Sequence, residues 1–173
     1  MGRGAGGRGV AGRAAPGKTG ISPKQLHRFQ GVPDAHLALI KGVKVSEAIP
    51  GNGIYNDKMQ KIYLNSRTAT DHTARHEVGH AVWNRVLTQG QRESWTRDYD
   101  ASMTGRGDLE ARQNWGNRFY ISAYATTNDR ESFADAYSYA TSGTMGGGNR
   151  LGFASDSQDG ILRDILGGYY SAR

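Results

Sequence analysis

With 173 residues, 36% hydrophobic side chains and 25 glycines, the chain has room for one domain with a modest core and too little for two ordinary ones. Its net charge of +6 sits mostly in residues 1–20, where Arg3, Arg8, Arg13 and Lys18 stand without an acid; the other 18 basic and 16 acidic residues leave the body near neutral. The chain has no cysteine, which excludes disulfides and thiolate metal sites. No apolar run approaches the roughly 18 residues needed to span a bilayer.

Residues 1–20 are Gly, Ala and Arg with almost nothing to bury, and are expected to form a disordered arm. They lack the interleaved aromatics that stack on bases, so nucleic acid is expected to bind there weakly at most. Nor does the N-terminus show a signal-peptide core, so any export is expected to use another route. Residues 21–173 are expected to form the folded domain.

Within it, Ser22 and Pro23 open a helix that Gly31 ends, and a second short helical stretch runs from Pro33 to Lys41. Val43, Val45 and Ile49 alternate with polar residues as in a strand. Pro50-Gly51-Asn52-Gly53 is a turn, and Ile54-Tyr55-Asn56 and Lys61–Asn65 are further extended segments. A sheet of two to four strands is expected.

Thr70 or Asp71 then caps a helix that runs to about Leu87, with Gly90 as its stop. It contains His76-Glu77-Val78-Gly79-His80, an H-E-x-x-H motif. Residues four apart on a helix are one turn apart on the same face. His76 and His80 can therefore grip one metal ion, with Glu77 beside it as general base, the arrangement of a zinc hydrolase. His72 lies one turn earlier, but three successive turns of one straight helix cannot wrap a tetrahedral ion, so no ligand role is expected for it.

Helices are expected over Gln91–Met103 and Asp108–Phe119, separated by Gly105-Arg106-Gly107, with Trp95, Tyr99, Leu109, Trp115 and Phe119 buried. Tyr124 is expected in an extended segment, free to point at the site. A helix follows from about Asn128 to Thr141, then a Gly146-Gly147-Gly148 connection and a last helix over Asp159–Leu166. The triple glycine has neither the lysine nor the preceding strand of a phosphate loop.

A catalytic zinc needs a third protein ligand. Trp83 and Val86 occupy the positions where a metzincin has Gly and His, and a cysteine ligand is excluded. A carboxylate from a second helix is left, and Glu131 is the best placed. Asp135, one turn on, can accept a hydrogen bond from a ligand imidazole and fix its tautomer. The spacing Asn128-x-x-Glu131 also suits a glutamate that merely caps its own helix.

The run Ser122-Ala-Tyr124-Ala-Thr-Thr127-Asn128-x-x-Glu131-x-Phe133-Ala134-Asp135-Ala136-Tyr137, downstream of His76-Glu77-Val78-Gly79-His80-Ala81-Val82, resembles the paired motifs of anthrax-lethal-factor-like zinc metallopeptidase domains, a gluzincin type of zincin. The resemblance covers roughly residues 60–142. It implies His76, His80 and Glu131 as zinc ligands, Glu77 as base and Tyr124 as the hydroxyl that stabilises the oxyanion. This chain departs in carrying Asp135 where the family has Glu, and one residue between Ser122 and Tyr124 where the family has none.

The expectation is thus an α+β, zincin-like domain in which a small sheet packs on the motif helix and a second, glutamate-bearing helix. The expected function is a zinc-dependent endopeptidase acting on a protein or peptide, in a secreted toxin, a delivered effector or a phage particle. The alternative is a binding or particle-structure protein that keeps the fold without catalysis.

Overall fold

The structure is a computed structural model that describes residues 20–104, 124–142 and 155–167. The arm (but for Gly20), the helix expected over 108–119 with Leu109, Trp115 and Phe119, and the triple glycine lie outside them. Ordered along the chain are a 3-10 turn (Leu26–Phe29), α1 (Asp34–Leu37), β1 (Gly42–Ser46), β2 (Gly53–Asn56), β3 (Lys61–Asn65), α2 (Asp71–Arg85), α3 (Gln89–Met103), a 3-10 turn (Tyr124–Thr126), α4 (Asp129–Thr141) and α5 (Asp156–Leu166). The class is the expected one, α+β with a small sheet packed on the motif helix.

The sheet order is β1-β3-β2. The central strand β3 runs parallel to β1, with Gly42 opposite Lys61, and antiparallel to β2, with Tyr55 opposite Ile62. Its alternation places Ile62 and Leu64 fully in the core. Ile49 lies beyond the end of β1, and its N–H bonds to Ser46 O as the chain turns. The first helical segments are shorter than their patterns suggest. Gly31 does end the first, with a φ of 84° that an L side chain avoids.

Helix α2 is enclosed on most of its circumference. Ala74, Val78, Ala81 and Val82 have no exposed surface, and His76, Glu77 and Trp83 are also buried. Such a helix belongs at the centre of a domain rather than on its surface, and α2 touches α1, β2, β3 and α4. Thr70 caps it, accepting the Thr73 N–H while the Thr73 hydroxyl accepts the Thr70 N–H. Gly90 is not its stop. The helix ends at Arg85, and Thr88 and Gln91 form a reciprocal cap that starts α3, leaving Gly90 in the first turn of that helix. A matched cap satisfies two orphan N–H groups, which outweighs the local preference of one glycine. Ser155 caps α5 in the same way, so the helix starts at Asp156, three residues ahead of the expected start.

Helices α2 and α4 cross at very short range. A Cβ on Gly79 would lie 2.8 Å from Ala134 Cα, so only glycine allows this crossing. Beyond it Phe133 packs on Trp83 and edge-on to Trp95, with ring centroids 5.4 and 5.0 Å away. Trp95 and Tyr99 are buried as expected.

Under the far end of α4, the buried His36 places Nδ1 2.8 Å from the Tyr137 hydroxyl. Burial lowers the His36 pKa from 6.5 to about 4. Above pH 6.5 the ring is neutral in both folded and unfolded chains, and folding has its full stability. Between pH 6.5 and 4 only the unfolded chain takes up the proton, so acidification is expected to cost about 3 kcal/mol over that window. Urea midpoints at pH 7 and 4.5 should differ more in the parent than in His36→Gln; equal differences would remove His36 as the cause.

Candidate metal centre

The motif helix presents His76 and His80 one turn apart, with ring centroids 4.8 Å apart and planes at 85°. Helix α4 enters from the other side. Asn128 caps it, its Oδ1 accepting the N–H groups of Arg130 and Glu131 at 3.0 Å each. The cap is thus made by Asn128, and the Glu131 carboxylate is turned across to α2. Its Oε2 lies 2.9 Å from His76 Nε2 and 3.3 Å from His80 Nε2. One turn on, Asp135 Oδ1 lies 2.9 Å from His76 Nδ1 and 3.1 Å from His72 Nε2.

Two groups of donors within 4.8 Å of one another could hold a metal ion: His76, His80 and Glu131, and His72, His76 and Asp135. They share His76, one ring nitrogen facing each carboxylate. Two imidazole nitrogens and one carboxylate oxygen form a donor set suited to zinc.

The electrostatics favour a positive charge at this point. Burial works to lower the pKa of His76, but hydrogen bonds to Asp135 and Glu131 outweigh it and raise the pKa to about 9. Burial likewise works to raise that of Glu131, yet the two imidazoles bring it down to about 2. A proton on His76 is therefore held between two carboxylates, and a cation of higher charge fits the same field.

Glu77 is buried beside this cluster, 5% exposed. Burial raises its pKa, while the His80 and His76 charges and a hydrogen bond from the Tyr55 backbone N–H pull it down. Strand β2 makes that bond because it comes very close: a Cβ on Gly53 would lie 2.9 Å from Glu77 Oε1 and 2.8 Å from Thr73 Cγ2. Tyr124 lies in a 3-10 turn rather than the expected extended segment, since the Thr127 N–H closes back on its carbonyl at 3.0 Å. Its ring centroid is 5.9 Å from that of His76 and the residue is 58% exposed. Partial burial, then the nearby carboxylates, raise the pKa of its hydroxyl, which therefore stays protonated at neutral pH.

All these groups open into one cleft of about 990 Å³, whose opposite wall is Pro50–Tyr55. His76, Glu77, His80, Tyr124, Glu131 and Asp135, the six residues singled out from the sequence, all line it. The Pro50–Tyr55 wall lies outside the motifs of the sequence. Gly53 at the start of a strand was a usable sign, since glycine there marks the close approach of another group. The Tyr55 amide left no trace in the sequence. Helical spacing puts His72 on the ligand face, but does not show its contact with Asp135.

Residues 44–145 match the model of a family described as "Putative zinc-binding metallo-peptidase". No curated protein and no solved structure matches the chain. The matched span holds both helices of the site and more than half of the sequence. On that match, with the paired imidazoles, the facing carboxylate and the adjoining Glu77, the chain belongs to this family of zinc-binding metallo-peptidases.

Proposed function

We propose that the chain is a zinc-dependent endopeptidase of the lethal-factor-like gluzincin type, with His76, His80 and Glu131 holding the metal. The observation that carries this reading is the convergence of His76 Nε2, His80 Nε2 and Glu131 Oε2 from two helices, beside a buried glutamate and at the wall of an open cleft. The alternative donors, His72, His76 and Asp135, lie one turn further from Glu77 along the motif helix. Zinc held by His76, His80 and Glu131 would supply a Lewis acid for the scissile carbonyl and for water.

The rest follows from the chain's own side chains. The Glu77 carboxylate, aimed by the Tyr55 N–H, takes a proton from the attacking water and delivers it to the departing amine nitrogen. The protonated Tyr124 hydroxyl donates to the carbonyl oxygen as charge builds there. Asp135 accepts from His76 Nδ1, which leaves the Nε2 lone pair for the metal. Strand β2 is paired only with β3 among the described residues and lines the cleft; this suits an extended peptide laid along it. We assign the domain to residues 21–173, with residues 1–20 as a separate arm, and the setting to a toxin, a delivered effector or a phage particle.

Two variants test the division of labour. Glu77→Gln is expected to bind zinc like the parent while losing nearly all cleavage of an unstructured protein substrate, and Glu131→Ala to lose zinc. Undiminished cleavage by the first, or undiminished zinc content in the second, would overturn the assigned role. Gly53→Ala separates the base from the ligands. The added methyl displaces either the Glu77 carboxylate or β2, so kcat should fall on the order of a hundredfold with zinc content unchanged. Parent-like turnover in that variant would show that β2 does not aim Glu77.

A further inference from the structure

Ligand assignment leaves His72 unused, although it is held with care. Its Nε2 lies 3.1 Å from Asp135 Oδ1, the same oxygen that His76 Nδ1 reaches at 2.9 Å. On the other side of the ring, Ser138 Oγ lies 2.9 Å from Nδ1 and 2.9 Å from the His72 carbonyl oxygen. The Tyr139 ring meets the imidazole edge-on at a centroid distance of 4.9 Å. A surface histidine serving only solubility needs none of this. Asp135, with 3% of its side chain exposed, is by contrast a buried carboxylate that must be fully hydrogen-bonded to remain there.

We infer that His72 is a positioning residue for the metal centre, acting through Asp135. An ionised carboxylate only accepts hydrogen bonds, so both imidazoles point an N–H at Oδ1. Two donors on one oxygen, from successive turns of α2, fix the rotation of the carboxylate. The fixed carboxylate in turn keeps the His76 proton on Nδ1 and the Nε2 lone pair toward Glu131 and His80. Ser138 closes the chain by orienting the His72 ring, so Ser138, His72, Asp135 and His76 form one relay across the α2–α4 contact. His72 therefore sets metal affinity without touching the metal. This rests on the ligand set proposed above.

The test is zinc affinity, read by competition with a chromophoric chelator, together with the visible spectrum of the cobalt-loaded protein. His72→Ala should weaken zinc about 10–100-fold, as losing such an outer hydrogen bond does elsewhere, with one ion still bound and the cobalt spectrum unchanged in type. His72→Gln, whose amide N–H can reach Asp135, should recover most of the loss, which a generally destabilised fold would not. In an Asp135→Asn background the His72→Ala change should add little, because the relay is already broken. Parent-like affinity in His72→Ala, or losses that multiply in the double variant, would overturn the inference while leaving the ligand set standing. Zinc lost in His72→Ala but kept in His80→Ala would make His72 a ligand and overturn both. A parent chain that binds no zinc would remove the ligand set itself, and this inference with it.

Discussion

The close crossing of α2 and α4 governs the rest of the structure. Gly79 on one helix meets the Ala134 backbone on the other at a distance no side chain could share. The carboxylates of Glu131 and Asp135 are short levers, and they reach the imidazoles of α2 only because the two backbones come this near. The glycine lies between the two histidines of the motif, so the residue that permits the approach and the residues that use it share one turn of helix. Phe133, on the opposite side of α4, locks the pair from behind against Trp83 and Trp95.

That geometry gathers His76, Glu77 and Asp135 in buried positions, with the partly buried Glu131 beside them at the cleft wall. Isolated ionised groups do not survive burial of this kind; they pair or change protonation state. Here they pair across the helix contact, His76 with a carboxylate on each ring nitrogen. The shifts follow from this: the imidazole is pushed up, the Glu131 carboxylate down, and Glu77, with less compensation, is raised by its burial. The field that results favours a cation at the mouth of the cleft and a carboxylate beside it that can take up a proton.

The sheet has a second task beyond filling the core. Its strand β2 closes over Glu77 and lends it a backbone N–H while also forming one wall of the cleft. Arg85 at the end of α2 fastens the far end of that strand, donating to the Tyr55 hydroxyl at 3.2 Å and to the Asp57 carbonyl at 2.8 Å. The strand that borders Glu77 is thus tied to the helix that carries it through Tyr55 and Asp57.

What could be read from the sequence was local. The i, i+4 histidines, the caps at Thr70 and Asn128, the alternation of β3 and the second motif around Glu131 are patterns that helix and strand geometry imposes within a few residues. The expectation of an α+β domain with a small sheet followed from them, as did the choice of six residues that prove to line one cleft. Tertiary structure decided everything that depends on which backbone passes which. It turned the Glu131 side chain to the imidazoles and left the cap to Asn128, and brought β2 onto Glu77. It also joined His72 to Asp135 across 63 positions of chain. Spacing along one helix shows which side chains share a face, but the partner on the facing element is set by helix packing distance, and here that distance was set by a single missing Cβ.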